Sequence, residues 1–318
     1  MKISKTGAGL SVLRSCVLSF HNDAATPVRH RRRRHSHGSR KGRQEMGYKI
    51  KSYGWQPDLP DRRDHLYAAP APVLMALPTK IDLRPQCPAV YDQGQLGSCT
   101  GNAIAGAFEF DRMKQRVGRK DYVPSRLFIY YNERVIEGTV GSDSGAQIRD
   151  GIKSISKQGV CSETTWPYDI AQFATKPSPA AYTEGKKNQA LAYSRVMRSL
   201  PQMKGCLASG FPFVFGFTVY ESFESAAVAK TGMVDMPKPK EQVVGGHAVV
   251  AVGYNDATER FIVRNSWGRK WGMRGYFTMP YLYLVDDNLA DDFWTIRLVE
   301  DPGQSARRGV KRGARRKR

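Results

Sequence analysis

The spacing of apolar residues changes once along this chain, and that change limits the architectures open to it. From Cys99 onward Ala103, Ile104, Ala107, Phe108 and Met113 recur at helical spacing as far as Gly118. Pro124 to Ile136 reads as a second helix. Gly145 to Gln158 reads as a third, with Ile148, Ile152 and Ile155 on one face and Gly159 as its stop. After Pro201 the helical period gives way to short runs rich in Val, Phe and Tyr, at Phe213 to Tyr220, Gly246 to Gly253, Arg260 to Arg264 and Gly275 to Met279. The expected class is therefore α+β, a helical lobe followed by a β-barrel-like one, with the Cys99 helix buried between them.

A chain of 318 residues with 41% hydrophobic content can bury a substantial core, which excludes wholesale disorder. Its net charge of +21 is concentrated at the ends: residues 1–45 carry eleven Lys and Arg against two acids, and residues 305–318 carry eight against none. The reading is a basic disordered tail at 1–46, a proline-rich arm at 47–78 whose prolines forbid regular helix, a globular body at 79–300 and a second basic tail at 301–318. The tails have the composition for contact with polyanions. They lack aromatics for base stacking, so sequence-specific RNA recognition is not expected. No apolar run is long enough to span a membrane. Arg14 interrupts the one signal-like stretch, Ala8 to Phe20, so a cytoplasmic location is favoured over a secreted one. Five scattered cysteines without a CxxC pair suggest neither a disulfide scaffold nor a metal site. No cofactor and no metal is expected, and the body is expected to be a monomer.

A cysteine in the first turn of a helix is helped toward its anion by unpaired amides and the positive helix end, and Cys99 has that position. Four of the six histidines lie in the N-terminal tail, leaving His65 in the arm and His247 at the head of an apolar strand. An inward imidazole there needs a partner, and Asn265, at the end of the next strand, supplies one if the two strands pair. Gln93 offers an amide N–H to an oxyanion beside the Cys99 sulfur, and Trp267 an indole to cover an Asn–His hydrogen bond. Singly, each of these also reads as an ordinary packed residue. Together they describe acyl transfer.

The runs Gln93…Gly97-Ser98-Cys99, Gly246-His247-Ala248-Val249 with Gly253-Tyr254, and Asn265-Ser266-Trp267-Gly268…Trp271-Gly272…Gly275-Tyr276 resemble the papain-like cysteine peptidases over about residues 77–296. In that family the histidine and asparagine fall about 130–150 residues beyond the cysteine; here His247 is within that window and Asn265 somewhat beyond it. The resemblance implies a two-lobed fold and a peptide or protein substrate. It implies Cys99 as nucleophile, His247 as acid and base, Asn265 as the residue orienting the imidazole, and Gln93 with the Cys99 N–H as the oxyanion hole. It further implies Ser144 and Gly145 as a strip pairing with substrate backbone, Trp267 as a cleft wall, and a side-chain pocket lined from Phe213 to Gly216 and by Gly246 and Ala248. That pocket suggests an apolar side chain, and its floor lies somewhere in Asp291 to Thr295. Two features depart from the family: Leu96 replaces the cysteine expected three residues before the nucleophile, so the usual neighbouring disulfide is missing, and Thr100 replaces the tryptophan after it. No paired histidines of a carboxy-dipeptidase are present, which favours an endopeptidase. The alternatives are a transpeptidase or ligase using the same acyl-enzyme, or a polyanion-binding protein acting through its tails. The arm is expected to be either a short extended blocker of the cleft or a surface brace, anchored by Trp55, Leu59 and Tyr67, with Asp58, Asp61 and Asp64 paired to basic residues of the body.

Overall fold

The computed structural model describes residues 52–118 and 121–301. The two basic tails, apart from Asp301, the first residues of the arm and Cys16 lie outside that range. The strands are β1 (Trp55–Gln56), β2 (Leu66–Tyr67), β3 (Lys80–Asp82), β4 (Ala146–Gln147), β5 (Ala190–Val196), β6 (Phe213–Tyr220), β7 (Val243–Asn255), β8 (Arg260–Arg264), β9 (Tyr276–Pro280) and β10 (Ala290–Val299). The α-helices are α1 (Ala71–Met75), α2 (Cys99–Gln115), α3 (Arg126–Glu137), α4 (Ile148–Lys157), α5 (Pro179–Gly185), α6 (Leu200–Ala208), α7 (Ala226–Thr231) and α8 (Tyr281–Val285).

The centre of the molecule is α2. Every residue from Cys99 to Phe108 is buried, and a helix covered on all sides needs neighbours all round. It packs on α3 on one side and on β7 and β10 on the other. Arg116 in a left-handed conformation ends it. Ser125 caps α3 by accepting the Phe128 N–H at 3.1 Å, and Gly138, at φ 73°, stops it. The helical lobe is thus built where the 3.6-residue period was legible.

The strand lobe is one sheet in the order β2-β5-β10-β6-β7-β8-β9, with β3 added alongside β7. All these pairs are antiparallel except β2 on β5. Four of its strands escaped the sequence pattern. β2 and β3 are only two and three residues long, β5 is only partly covered and carries no clean alternation, and β10 places Asp291 and Asp292 ahead of its apolar run. The arm also differs from expectation. Its prolines do not forbid helix: α1 has Pro70 at its cap and Pro72 in its first turn, where a missing N–H costs nothing. Far from a loose extension, residues 66–75 are built into the body. β2 extends the sheet, and a Cβ added at Gly205 of α6 would lie 2.5 Å from that of Ala69.

This packing yields a prediction about truncation. Deleting residues through Met75 strips β2 from β5, removes the buried Tyr67 and Ala69, and is expected to cost roughly 3 kcal/mol or more, by analogy with emptying one buried aromatic site. Deleting only residues 1–51 should leave the thermal unfolding midpoint unchanged. Equal midpoints for the two truncations would show that the arm contributes no core.

Candidate active site

Cys99 is the first residue of α2 and is fully buried. Its sulfur faces the amides of Ala248, Gly54 and Thr100, which favour the thiolate, but burial outweighs them and pushes the thiol up to about 12. A helix N-terminus favours an anion by roughly 1 kcal/mol, too little to hold a thiolate in so dry a site. His247 lies on β7, one residue from the Ala248 amide that points at the sulfur. The β7–β8 pairing sets Val250 across from Arg264, which brings Asn265, just past β8, diagonally across from His247 on the same face, and Nε2 of His247 meets Oδ1 of Asn265 at 2.8 Å. Nδ1 has no hydrogen-bond partner, and burial brings the imidazole down to about 4. The Trp267 ring covers the imidazole at 5.0 Å between centroids, inclined by 30°, and Phe217 meets it edge-on at 5.8 Å. Both members of the pair are thus held toward their uncharged forms.

Gln93 is buried in the loop before α2. Its Oε1 accepts from Ser266 Oγ at 2.6 Å and its Nε2 donates one hydrogen to Leu96 O at 3.0 Å, which leaves the second amide hydrogen uncommitted. Thr100 does more than fill space: its hydroxyl donates to Glu133 Oε2 at 2.7 Å, and burial holds that carboxyl well above the usual range. Cys87, Cys99, Cys161 and Cys206 are all free thiols. Among the described residues no group of three or more His, Cys, Asp or Glu could hold a metal ion.

The space over the sulfur is filled by the chain itself. Gly54 passes so close to Gly97 that a Cβ there would lie 1.6 Å from Gly97 O, and its carbonyl accepts the Ala146 N–H at 2.7 Å. Tyr53 lies edge-on to His247 at 6.1 Å and donates to Glu224 at 2.9 Å. Trp55 lies against Gly216 and Gly246, where any side chain would collide with its ring, and its Nε1 donates to Asp292 Oδ2 at 3.1 Å. Phe213 and Ala248, also expected to line that slot, are fully buried, and among residues 291–295, where the floor was expected, Asp292 is buried and meets the Trp55 indole. Along the expected strip, Ser144 O accepts from Gln56, and the backbone partner of the arm is Ala146, next to Gly145.

The acidic residues of the arm are paired. Asp58 accepts from the Arg149 N–H at 3.0 Å and from Trp294 Nε1 at 2.9 Å, Asp64 pairs with Arg149 at 2.5 Å, and Asp61 with Lys153 at 3.3 Å. Asp292 also pairs with Arg195 at 3.1 Å and accepts the Asp58 N–H at 2.8 Å. Burial raises both Asp58 and Asp292 above the ordinary carboxylate range, and for Asp292 the charge of Asp58 adds to it. Leu59, expected as an anchor, is 70% exposed; it is the Leu59 backbone that is held, donating to Gln147 and accepting from Arg149.

Residues 77–283 match the sequence family described as papain family cysteine protease. The chain belongs to that family. A peptidase C1-like protein of Acanthamoeba polyphaga mimivirus is 53% identical over 231 residues, covering 70% of this chain and 74% of the relative. Cathepsin B-like CP1 of Giardia intestinalis is 29% identical over 220 residues, covering 63% and 67%. Among solved structures, xylellain, a cysteine protease from Xylella fastidiosa, superposes with a TM-score of 0.72 at 46% identity, covering 80% of this chain and 98% of its own. The procathepsin B of Trypanosoma congolense shares the fold at 19% identity, with a TM-score of 0.62 over 78% and 86%. The protein is accordingly a cysteine-type peptidase of the papain-like α+β fold. In this papain-family chain the motifs marked Gln93, Cys99, His247 and Asn265, whereas Gly54 and Asp143 carried no signal and Asp292 fell only within the loosely placed floor, since each of the three meets a neighbour distant in sequence.

The close approach of Gly54 to Gly97 can be tested directly. Gly54→Ala cannot seat, so segment 53–58 should lift, and alkylation of Cys99 by iodoacetamide near neutral pH should accelerate about ten-fold or more as the site gains water. Mass mapping of the adduct, with Cys87, Cys161 and Cys206 as internal controls, reads the result. An unchanged rate at Cys99 would mean that the segment does not govern access to the sulfur.

Proposed function

We propose that this cysteine peptidase is an endopeptidase acting through a Cys99 thioester, and that segment 53–58 blocks its cleft in the resting state. The observation that carries the first part is the orientation of His247: Nε2 is held by Asn265, and Nδ1 stays open beside the residue whose amide points at the sulfur. The Cys99 proton passes to Nδ1 as the sulfur bonds to the scissile carbonyl carbon. The oxyanion is received by the uncommitted Gln93 amide hydrogen and the Cys99 N–H, which as the first helical amide has no carbonyl of its own helix to pair with. The imidazolium then protonates the departing amine, leaving the thioester. Water, losing a proton to His247, attacks that carbonyl and frees Cys99.

The blocking role rests on what the arm presents. Near the sulfur lies the Gly54 N–H, a donor where a substrate would present its scissile carbonyl, and the Gly54 carbonyl, in the next peptide group, is held by the Ala146 N–H. Tyr53 and Trp55 fill the positions on either side, and the Arg149 N–H held by Asp58, with the Asp64–Arg149 ion pair beyond it, tethers the segment to α4.

Cys99→Ala and His247→Ala should abolish hydrolysis of a peptide substrate, Asn265→Ala should lower it less because packing by Trp267 still orients the ring, and Gln93→Ala should cost about 100-fold in kcat. A Gln93→Ala enzyme with unchanged turnover would remove that residue from the oxyanion hole.

Closure also carries a pH dependence. The closed arm raises the Asp58 and Asp292 carboxyls, so closing takes up protons; its stability is present on the acid side and lost as pH rises through the raised values. The ratio of Gly54→Ala to wild-type turnover, in which ionisation of the Cys–His pair cancels, should therefore fall between about pH 5 and about pH 8. A ratio that rises with pH would contradict this assignment.

A further inference from the structure

The oxyanion hole and the strip that docks the arm come from different parts of the chain: Gln93 and Cys99 from the loop before α2, Ser144 to Ala146 from the segment joining α3 to α4. One peptide group lies between them. The carbonyl of Leu96 accepts from Gln93 Nε2 at 3.0 Å, and the N–H at the other end of the same peptide plane, on Gly97, donates to the Asp143 carboxylate at 3.1 and 3.0 Å. Asp143 Oδ1 also accepts from Tyr130 Oη at 2.6 Å, and Tyr130 Oη in turn accepts the Gly145 N–H at 3.1 Å. Tyr130 is fully buried on α3, and burial keeps its phenol protonated and donating. Arg134, one turn further along α3, lies over the Tyr130 ring at 4.1 Å and donates to the carbonyls of Val140 and Ser142, both at 2.9 Å, fixing the loop that carries Asp143.

We infer that Asp143 is a positioning residue for the oxyanion hole: through the Leu96–Gly97 peptide it holds one hydrogen of the Gln93 amide on Leu96 O, so that the other points to where the substrate oxyanion forms. The physical reason is polarisation along a hydrogen-bonded chain. An anionic acceptor at the Gly97 N–H draws electron density through the amide toward Leu96 O, making that oxygen a better acceptor for Gln93. The same carboxylate, through Tyr130, fixes Gly145 of the backbone strip. The hole and the strip are therefore held in one register without a covalent link: Leu96 stands where the family's cysteine would, and the four described cysteines are free. Glycine at 97 leaves the carboxylate its place beside the backbone, since an atom added at its Cα would meet Asp143 Oδ1 at 3.0 Å and Ser52 Oγ at 3.1 Å.

The inference rests on the oxyanion role given to Gln93, and the test separates the two. In the full-length chain, turnover of a peptide is normalised to the fraction of Cys99 that alkylates, so that arm closure cancels. Asp143→Asn should lower kcat by roughly ten-fold, a part of the loss for deleting an oxyanion donor. KM and the rate of Cys99 alkylation by iodoacetamide, which forms no oxyanion, should hold. Asp143→Asn combined with Gln93→Ala should be no slower than Gln93→Ala alone, the signature of one residue acting through the other. If Asp143→Asn fails to fold, Tyr130→Phe, which removes one donor from Asp143 and keeps the ring, takes its place in the same comparison with a smaller loss. Multiplying losses in the double variant, or a fall in alkylation equal to the fall in kcat, would overturn the positioning role. Unchanged kcat in Gln93→Ala by itself would instead overturn the reading on which it rests.

Discussion

Complete burial of the first ten residues of α2 is the constraint from which the rest of the molecule follows. A helix covered on all sides cannot rest on a surface, so α3 must close over one side and β7 with β10 over the other. Its N-terminus then emerges where the two lobes meet, and whatever residue stands there faces the strand that carries His247. The chemistry is a by-product of that burial and is also restrained by it. Desolvation that would cost a free thiolate several kcal/mol is opposed by three amides and a helix end, and in the closed arrangement desolvation prevails. The nucleophile gains its charge only when its surroundings gain water or an imidazolium.

The quartet proposed as catalytic was legible because its members sit in or beside the ends of regular elements and few residues compete for each place. With His65 exposed in the arm, His247 was the one body histidine able to face inward, and Asn265 followed from the pairing of two short apolar runs. The three long helices and four of the strands were legible from period alone. What escaped depends on contacts far apart in sequence. β10 opens on two acids because Asp292 must reach Trp55 and Arg195, a reason invisible in a local window. Gly54 reads as one glycine of a proline-rich stretch until Gly97 is brought against it. Asp143 stands unmarked beside Ser144 and Gly145 until its carboxylate is found on the Gly97 N–H. Leu59 misled for the opposite reason: apolar content was taken as an anchor where the body holds the backbone and leaves the side chain exposed.

Pairing in the arm follows a simple electrostatic rule. Its three aspartates find Arg149, Lys153 and Arg195, all on elements of the body, and buried Arg149, paired with Asp64, also gives its backbone N–H to the Asp58 carboxyl and a guanidinium N–H to the Leu59 carbonyl. A buried ion pair of this kind contributes little net stability against an apolar alternative but penalises any other placement of the segment. It therefore specifies the path of residues 53–64 more than it strengthens it.

The free thiols have a consequence of their own. With Cys87, Cys161 and Cys206 unpaired and the loops around Cys99 tied by a carboxylate, a phenol and peptide groups, nothing in the described scaffold stores oxidising equivalents. Reductant that keeps the nucleophile competent removes no cross-link, and oxidant that silences it adds none at a distance. Among the described residues redox chemistry meets separate thiols, half-buried at Cys87 and buried at Cys99, Cys161 and Cys206, and no cross-link whose making or breaking would reshape the frame around the sulfur under the arm.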